Sequence, residues 1–324
     1  MVTGTPAVSI AIRAFRPQWL DEAVASVLTQ THSDLELVVY DDAGTLEAQV
    51  RAHADARIRY VRATTRLGPS GRFLAAVAHC RAPVIGLLDD DDRYEPTFVA
   101  RLLAALDDDG DAGIAFCRTM YAWNGQVLTP RDARQPGRIP DAAASMLRGR
   151  WTVSPSHMLF RRAAFEAAMA QQPMPDGVSP DVFVNLRIAL AGWQHVLVDA
   201  PLVHYRWHDA QLSRQGVSSA SLAVRTLEYV QVPEPRMSAL RDHALARAYL
   251  ARAVFRLCGS EHSAAIADLD AAARVAPGAH RVARRALRVA ALAPLAGPAV
   301  ARGWLRLSPT GRARQRPPTR IGHL

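Results

Sequence analysis

The run Pro83-Val84-Ile85-Gly86-Leu87-Leu88-Asp89-Asp90-Asp91-Asp92, followed by Arg93-Tyr94-Glu95-Pro96, decides how the chain is read. Its apolar half has the length and composition of a short buried strand, so the carboxylates stand where that strand leaves the core. Adjacent carboxylates repel one another, and nothing in a fold requires four of them at a strand end. A hard divalent cation relieves the repulsion, because Mg²⁺ and Mn²⁺ prefer oxygen ligands and accept one or two carboxylates alongside phosphate oxygens. A solvated acidic turn is the alternative, and the surrounding chain has to decide between the two.

Upstream, strand and helix signals alternate. Val8 to Ile12 reads as a strand, and Pro17 to Gln30 carries Leu20, Val24, Val27 and Leu28 at helical spacing. Leu35 to Tyr40 is a second strand, ending in the turn Asp41-Asp42-Ala43-Gly44. A helix over 46–53, a strand over 58–61 and a helix over 70–80 lead to the strand at Val84 to Leu88. This alternation predicts an α/β fold with a mostly parallel sheet covered on both faces. In such sheets ligands bind beyond the carboxyl ends of the strands, where both Asp41-Asp42 and Asp89 to Asp92 fall. Further along, the pattern predicts a helix over 97–106, a strand over 114–121 and a polar loop over 131–140. It then predicts helices over 141–147, 163–170 and 181–191, and a strand at Val196-Leu197-Val198.

The 324 residues suffice for one large domain and a smaller one, and 49% hydrophobic residues exclude global disorder. The three cysteines, Cys80, Cys117 and Cys258, are far apart, which excludes a disulfide framework or a zinc site and fits a reducing cytosol. The segment Val8 to Ile12 is too short for a signal peptide, and no 18 consecutive apolar residues occur, so a cytoplasmic protein without a spanning helix is expected. The net charge of +9 is local: from Ala271 onward the chain carries eleven arginines and no acid, leaving 9 − 11 = −2 for the rest. All 39 basic residues are arginine, which is read as base composition of the genome.

Taken in order, these pieces resemble the family 2 glycosyltransferases, an inverting group with a GT-A type nucleotide-sugar-binding fold. The resemblance covers roughly residues 6–215. It is carried by Val8 to Ile12, Leu20 to Thr31, Leu35 to Asp42, Leu67-Gly68-Pro69-Ser70-Gly71, Leu88 to Asp92 with Pro96, and Ser179-Pro180-Asp181 before Leu186-Arg187. Pro201 to His208 with Ser213 completes the set. The resemblance implies a nucleotide-diphosphate sugar donor, a hydroxyl acceptor and a divalent metal, Mn²⁺ or Mg²⁺. It makes Asp42 the acceptor of a nucleobase hydrogen bond, with Phe15 against the base; a turn-forming Asp42 and a core Phe15 are the alternatives. Asp89 and Asp91 correspond to the D-x-D motif, Asp91 as the metal ligand and Asp89 toward the ribose or metal shell. Asp92 would orient the loop or donor sugar, and Asp90 would be a bystander. His208 would complete the coordination, unless it is a loop histidine, and Arg66 or Arg72 would contact the nucleotide, unless they are solvated. Asp181 would be the single base that an inverting displacement needs, with a helix cap as its other reading. The segment Trp151 to Arg162, with Ser154, Ser156 and His157, sits where the family lines the acceptor cleft.

Two departures stand out. The family's Pro-Thr-Tyr-Asn-like stretch is here Arg13-Ala14-Phe15-Arg16, and its Glu-Asp base pair is Pro180-Asp181. A sugar nucleotidyltransferase is the competing enzyme class, disfavoured because no G-x-G-x-x-G or Walker-type loop is present. A non-catalytic nucleotide-sugar-binding relative is the third reading.

The organisation expected is a glycosyltransferase domain over 1–217, a helical region over 218–308 and a disordered basic tail over 309–324. Helices over 241–258 and 263–275 resemble one tetratricopeptide-like hairpin, without the repeats that a solenoid needs. The basic C-terminal region admits peripheral contact with an anionic membrane through an amphipathic segment containing Trp304, nucleic-acid binding, or no partner at all. Of these, nucleic acid is the least expected.

Overall fold

A computed structural model describes residues 4–123, 125–132, 134–150, 154–211, 214–293, 297–307 and 320–321. The chain divides into two compact units, one of residues 1–142 with 152–206 and one of residues 143–151 with 207–324.

In the first unit the strands are β1 (Val8–Ala14), β2 (Leu35–Asp41), β3 (Ile58–Arg62), β4 (Val84–Asp89), β5 (Arg93–Tyr94) and β6 (Ala112–Trp123). They continue with β7 (Gln126–Leu128), β8 (Arg131–Asp132), β9 (Gly137–Arg138), β10 (Met158–Arg161) and β11 (Gln194–Arg206). The helices are α1 (Leu20–Leu28), α2 (Glu47–Arg51), α3 (Pro69–His79), α4 (Phe98–Asp107), α5 (Ala142–Leu147, at the unit boundary), α6 (Arg162–Gln171) and α7 (Pro180–Leu190). The main sheet runs β3-β2-β1-β4-β10-β6-β11-β5. Its β3-β2-β1-β4 half is parallel, as is the pair β6–β11, while β10 inserts antiparallel between β4 and β6.

Parallel strands buried on both faces read as continuous apolar runs, which is why β1, β2 and β4 were legible from composition. The helices obey the 3.6 period: α1 buries Leu20, Ala23, Val24 and Val27, and α4 buries Phe98, Val99, Leu102 and Leu106. These side chains join Val8, Ile10, Ile12, Leu37, Val39 and Leu88 in one core.

Some expectations give way. The polar loop over 131–140 contains β8 and β9, and β9 pairs antiparallel with Val196 and Leu197 of β11. Gly137, at φ +92°, takes a backbone conformation that side-chain-bearing residues disfavour, which lets this proline-flanked stretch enter the sheet. The strand expected at Val196 to Val198 lies near the start of β11, a single strand of 13 residues. Register shifts around Pro201 carry β11 past a residue that cannot donate to the ladder.

The second unit contains α8 (Gly216–Tyr229), α9 (Pro235–Cys258), α10 (His262–Val275), α11 (Arg281–Ala291) and α12 (Gly297–Leu307). Its core joins Val224, Leu245, Val254, Leu257, Leu269 and Leu287. Asp268 is buried there between Arg252, 2.7 Å away, and Arg256, 2.9 Å away. Among the described residues, no helix is long and apolar enough to cross a membrane. The expected disordered tail lies largely outside the described residues.

Helices approach the sheet closely at Gly113 of β6. A Cβ there would stand 2.7 Å from Trp193 Cβ, 2.9 Å from Ile188 Cγ2 and 3.0 Å from Ala164 Cβ. These atoms sit close to their own backbones and cannot swing away. Gly113→Ala is therefore expected to lower unfolding free energy by about 1–3 kcal/mol, read from chemical denaturation, whereas an unchanged midpoint would show that α6 and α7 can lift off β6.

Candidate active site

Strand register assembles the site. β1 lies between β2 and β4 so that Ala14 stands beside Asp41 and Arg13 beside Asp89. Three carboxyl-terminal strand ends thus deliver Arg13 to Arg16, Asp41-Asp42 and Asp89 to Asp92 to one edge, as expected for an open parallel sheet.

Asp41 and Asp42 divide the work. Asp41 Oδ1 accepts from the backbone N–H of Ala43 (3.0 Å) and Gly44 (2.8 Å), and Oδ2 accepts from Leu46 N–H (2.7 Å) and Tyr60 O–H (2.7 Å). It is the turn-former, and burial together with Asp41 pushes the Tyr60 hydroxyl up to about 12. Asp42 Oδ1 accepts a long bond from Leu67 N–H (3.3 Å), while its buried Oδ2 has no hydrogen-bond donor and lies 3.6 Å from Arg72 Nη1. Asp42 opens on a cavity of about 400 Å³ lined by Phe15, Ala43, Ala63, Thr64, Thr65 and Arg66. Phe15 is 38% exposed and not a core residue, and the Arg66 guanidinium stands 4.9 Å from its ring centroid. A planar apolar face beside a buried acceptor suits a flat heterocycle bearing N–H groups.

The acidic run is a turn held by arginines. Asp92 N–H closes it on Asp89 O at 3.1 Å. Arg13 pairs with Asp89, and Arg16 Nη2 reaches Asp91 Oδ2 at 2.5 Å. Asp90, expected to be a bystander, accepts from Phe15 N–H (2.6 Å), Arg16 N–H (2.7 Å) and the Arg16 guanidinium (2.9 Å), so it clamps the β1–α1 loop. From the far side Arg206 N–H donates to Asp92 Oδ1 (3.0 Å) and Arg206 Nε to Asp91 O (3.1 Å). Behind the turn, Ser156 Oγ accepts from Asp89 N–H at 3.1 Å and its side chain hydrogen-bonds Asp92. Arg206 and Ser156 were in the motifs read from sequence without these roles. Ser156 is 67 residues from Asp89 and Arg206 is 114 from Asp92, separations that carry no local signal.

Oxygens of Asp89, Asp91 and Asp92 lie within 4.8 Å of one another. Burial, then the charges of Asp91 and Asp89, push the Asp92 carboxyl well above its ordinary range, and its Oδ2 is buried without a hydrogen-bond partner. That orphaned oxygen and the all-oxygen donor set fit a hard divalent cation. In this structure the Arg16 guanidinium occupies the Asp91 side of the cluster.

Asp181 stands in the first turn of α7, after Pro180 at the first helical position. Its carboxylate accepts from Ser179 O–H, and its backbone carbonyl accepts from Asn185 Nδ2 at 2.8 Å. Burial pushes its carboxyl up; the Ser179 hydroxyl, the Val182 N–H and the Arg13 charge pull it back only in part. Arg13 therefore acts electrostatically on both Asp89 and Asp181.

His208 belongs to the second unit, where its N–H donates to Gln211 Oε1 at 3.3 Å; the carboxylate cluster comes entirely from the first. Ser213 and Trp151 lie outside the described residues. His204 is buried between Glu95 and Arg93, a structural role. His157 is buried against Tyr205, and burial, then Arg134, pushes its imidazole down to about 3, so it is neutral at ordinary pH.

The fold and this edge define an α/β protein with an acidic cluster at the carboxyl ends of its parallel strands. Residues 9–168 match the family model Glycosyl transferase family 2, and the sheet-bearing unit belongs to that family. The chain is 26% identical over 212 residues to an uncharacterized glycosyltransferase of Nostoc sp., covering 63% of this chain and 65% of that one, just under two thirds of the relative's length. It shares its fold with S. aureus TarS 1–349 in complex with UDP-GlcNAc (TM-score 0.66, 14% identity, 92% of this chain and 91% of that chain). A mannosyltransferase from Pyrobaculum calidifontis, in complex with GDP-Man and Mn²⁺, has a TM-score of 0.58 at 19% identity over 97% of this chain and 87% of its own. The GT-A type fold is thereby established.

If Arg16 and a cation compete for Asp91, removing the guanidinium frees a ligand. Calorimetric titration of Arg16→Ala with Mn²⁺ is expected to show affinity raised roughly tenfold, the worth of one charge-assisted hydrogen bond. Asp91→Ala should bind little or none, and unchanged affinity in Arg16→Ala would refute the competition.

Proposed function

We propose that the protein transfers a sugar from a nucleotide-diphosphate sugar to a hydroxyl acceptor with inversion, Asp181 taking the acceptor's proton. The observation that carries this reading is the shared strand-end edge holding the Asp42–Phe15 cavity and the acidic turn, with Asp181 in the same unit under the influence of Arg13. UDP- and GDP-sugars, the donors bound by the two structural neighbours, are the first to test.

Asp42 Oδ2 would accept an N–H of the base, with Phe15 and Arg66 against the ring and Arg72 toward the phosphates. Asp89 would face the ribose, and Asp92 would orient the sugar from its buried position. A divalent ion, Mn²⁺ or Mg²⁺, held by Asp91 within the Asp89–Asp91–Asp92 cluster, would supply charge stabilisation for the departing diphosphate. Arg13 and Arg16, absent from the family's usual motif, add guanidinium groups suited to phosphate oxygens once the carboxylates are otherwise engaged. Asp181 is a stronger base than an ordinary carboxylate because burial raises its pKa. One inverting displacement needs one base and no carboxylate nucleophile, in contrast to a retaining glycosidase.

Nucleotidyl transfer is the second reading, and ligand stabilisation separates them. In a thermal-shift series with Mn²⁺, a nucleotide sugar is expected to raise Tm, and Asp42→Ala to abolish the shift; stabilisation by nucleoside triphosphates alone would overturn sugar transfer. Asp181→Asn is expected to lower transfer by about 10²–10⁴ while donor stabilisation persists. Because the folded pKa of Asp181 is raised, its contribution to stability is present at low pH and lost as pH rises through that pKa. Asp181→Asn should accordingly be as stable as the parent, or more so, at neutral pH. Transfer should fall as pH drops through the same pKa, along a limb above the ordinary carboxylate range, and Arg13→Gln should move that limb to still higher pH. A limb that does not move would remove Arg13 from the base's environment.

A further inference from the structure

In the second unit, α11 buries Leu287, Ala290 and Ala291 and turns its opposite flank to water. On that flank Val282 is 84% exposed, Val289 70% and the adjoining Leu292 69%. Val282 and Val289 are two helical turns apart on one stripe, and Arg285 falls between them at i+3 and i−4. Exposed Arg281 and Arg288 run alongside. On α12, which packs against α11, Trp304 is 40% exposed and follows the exposed Val300 by one turn. No acidic residue occurs after Asp270 in the sequence, and Asp270 is itself paired with Arg288.

Aliphatic side chains this exposed gain nothing from water, and arginines beside them prevent ordinary burial against a neutral protein core. A surface that accepts both is the boundary between headgroups and acyl chains, where apolar groups enter the lipid and guanidinium groups meet phosphates. Nucleic acid matches the charge but offers these valines and Leu292 little, since its affinity comes from phosphate contacts with cations. We propose that the exposed flank of α11, with Val300 and Trp304 of α12, is a docking surface for an anionic phospholipid membrane. Binding is peripheral and reversible: the apolar stripe is short, and the arginines supply the preference for anionic over neutral lipid.

The full-length protein tests this by flotation with phosphatidylcholine vesicles and with phosphatidylcholine–phosphatidylglycerol vesicles. Flotation only with the anionic vesicles, weakened by salt, is expected. Val289→Ser combined with Leu292→Ser changes exposed positions, so circular dichroism should stay the same while flotation falls severalfold. Arg285→Gln combined with Arg302→Gln, the latter an exposed arginine of α12, should lower partitioning, each arginine by roughly fivefold. Equal flotation on neutral and anionic vesicles, none on either, or full flotation of the serine variant would overturn the proposal. So would binding to a short DNA duplex that is tighter than vesicle binding and indifferent to the serine substitutions. Donor stabilisation in the thermal-shift series is read independently, so failure here leaves the proposed sugar transfer standing.

Discussion

Consecutive carboxylates at the end of a buried strand must find counter-charge, and the rest of the sheet-bearing unit is arranged around that need. Asp89 is answered by Arg13, Asp90 and Asp91 by Arg16, and Asp92 by the Arg206 N–H and Ser156. Each partner arrives from a different element, so neutralising the turn also ties together β1, the loop before α1, the end of β11 and the segment before β10. Asp92 is the member left with an oxygen unanswered. Its burial makes that shortage costly, and a cation or a donor group removes it.

Parallel pairing makes this economy possible. In a parallel ladder neighbouring strands end on the same edge, so a register that aligns Ala14 with Asp41 and Arg13 with Asp89 brings three turns together with no further device. The turns then specialise. Asp41 uses both its oxygens on its own loop and on Tyr60, while its neighbour Asp42, which lines the cavity beside Phe15, keeps one buried oxygen without a hydrogen-bond donor. Adjacent residues of the same type thus differ in chemistry because one saturates backbone donors and the other does not.

The two basic features of the molecule have different characters. Arg13, Arg16 and Arg206 are partly buried and face the carboxylates of Asp89, Asp91 and Glu22, so their charge is local and directional. The arginines of α11 are mostly at the surface, beside exposed valines, with few acids to answer them. Net charge alone does not distinguish these uses; burial and partners do.

Much was legible in the sequence. The apolar runs of β1, β2 and β4, the helical spacing of α1 and the strand-end placement of the acidic residues follow from periods of two and 3.6 and from burial on both sheet faces. The ordered motifs carried the family resemblance as well. What remained hidden depends on contacts between distant segments. Nothing local distinguishes Asp90 from Asp91, yet one clamps a loop through two backbone N–H groups and the other lies in the carboxylate cluster. Pro201 masked the continuity of β11, because a bulge resolves what local preference forbids. Sequence by itself determined the apolar strands β1, β2 and β4, the amphipathic helices beside them and that carboxylates crowd one strand end. Tertiary structure alone decided which carboxylate is spent on the fold and which stays available, because hydrogen-bond partners and burial are set by register between segments far apart in the chain.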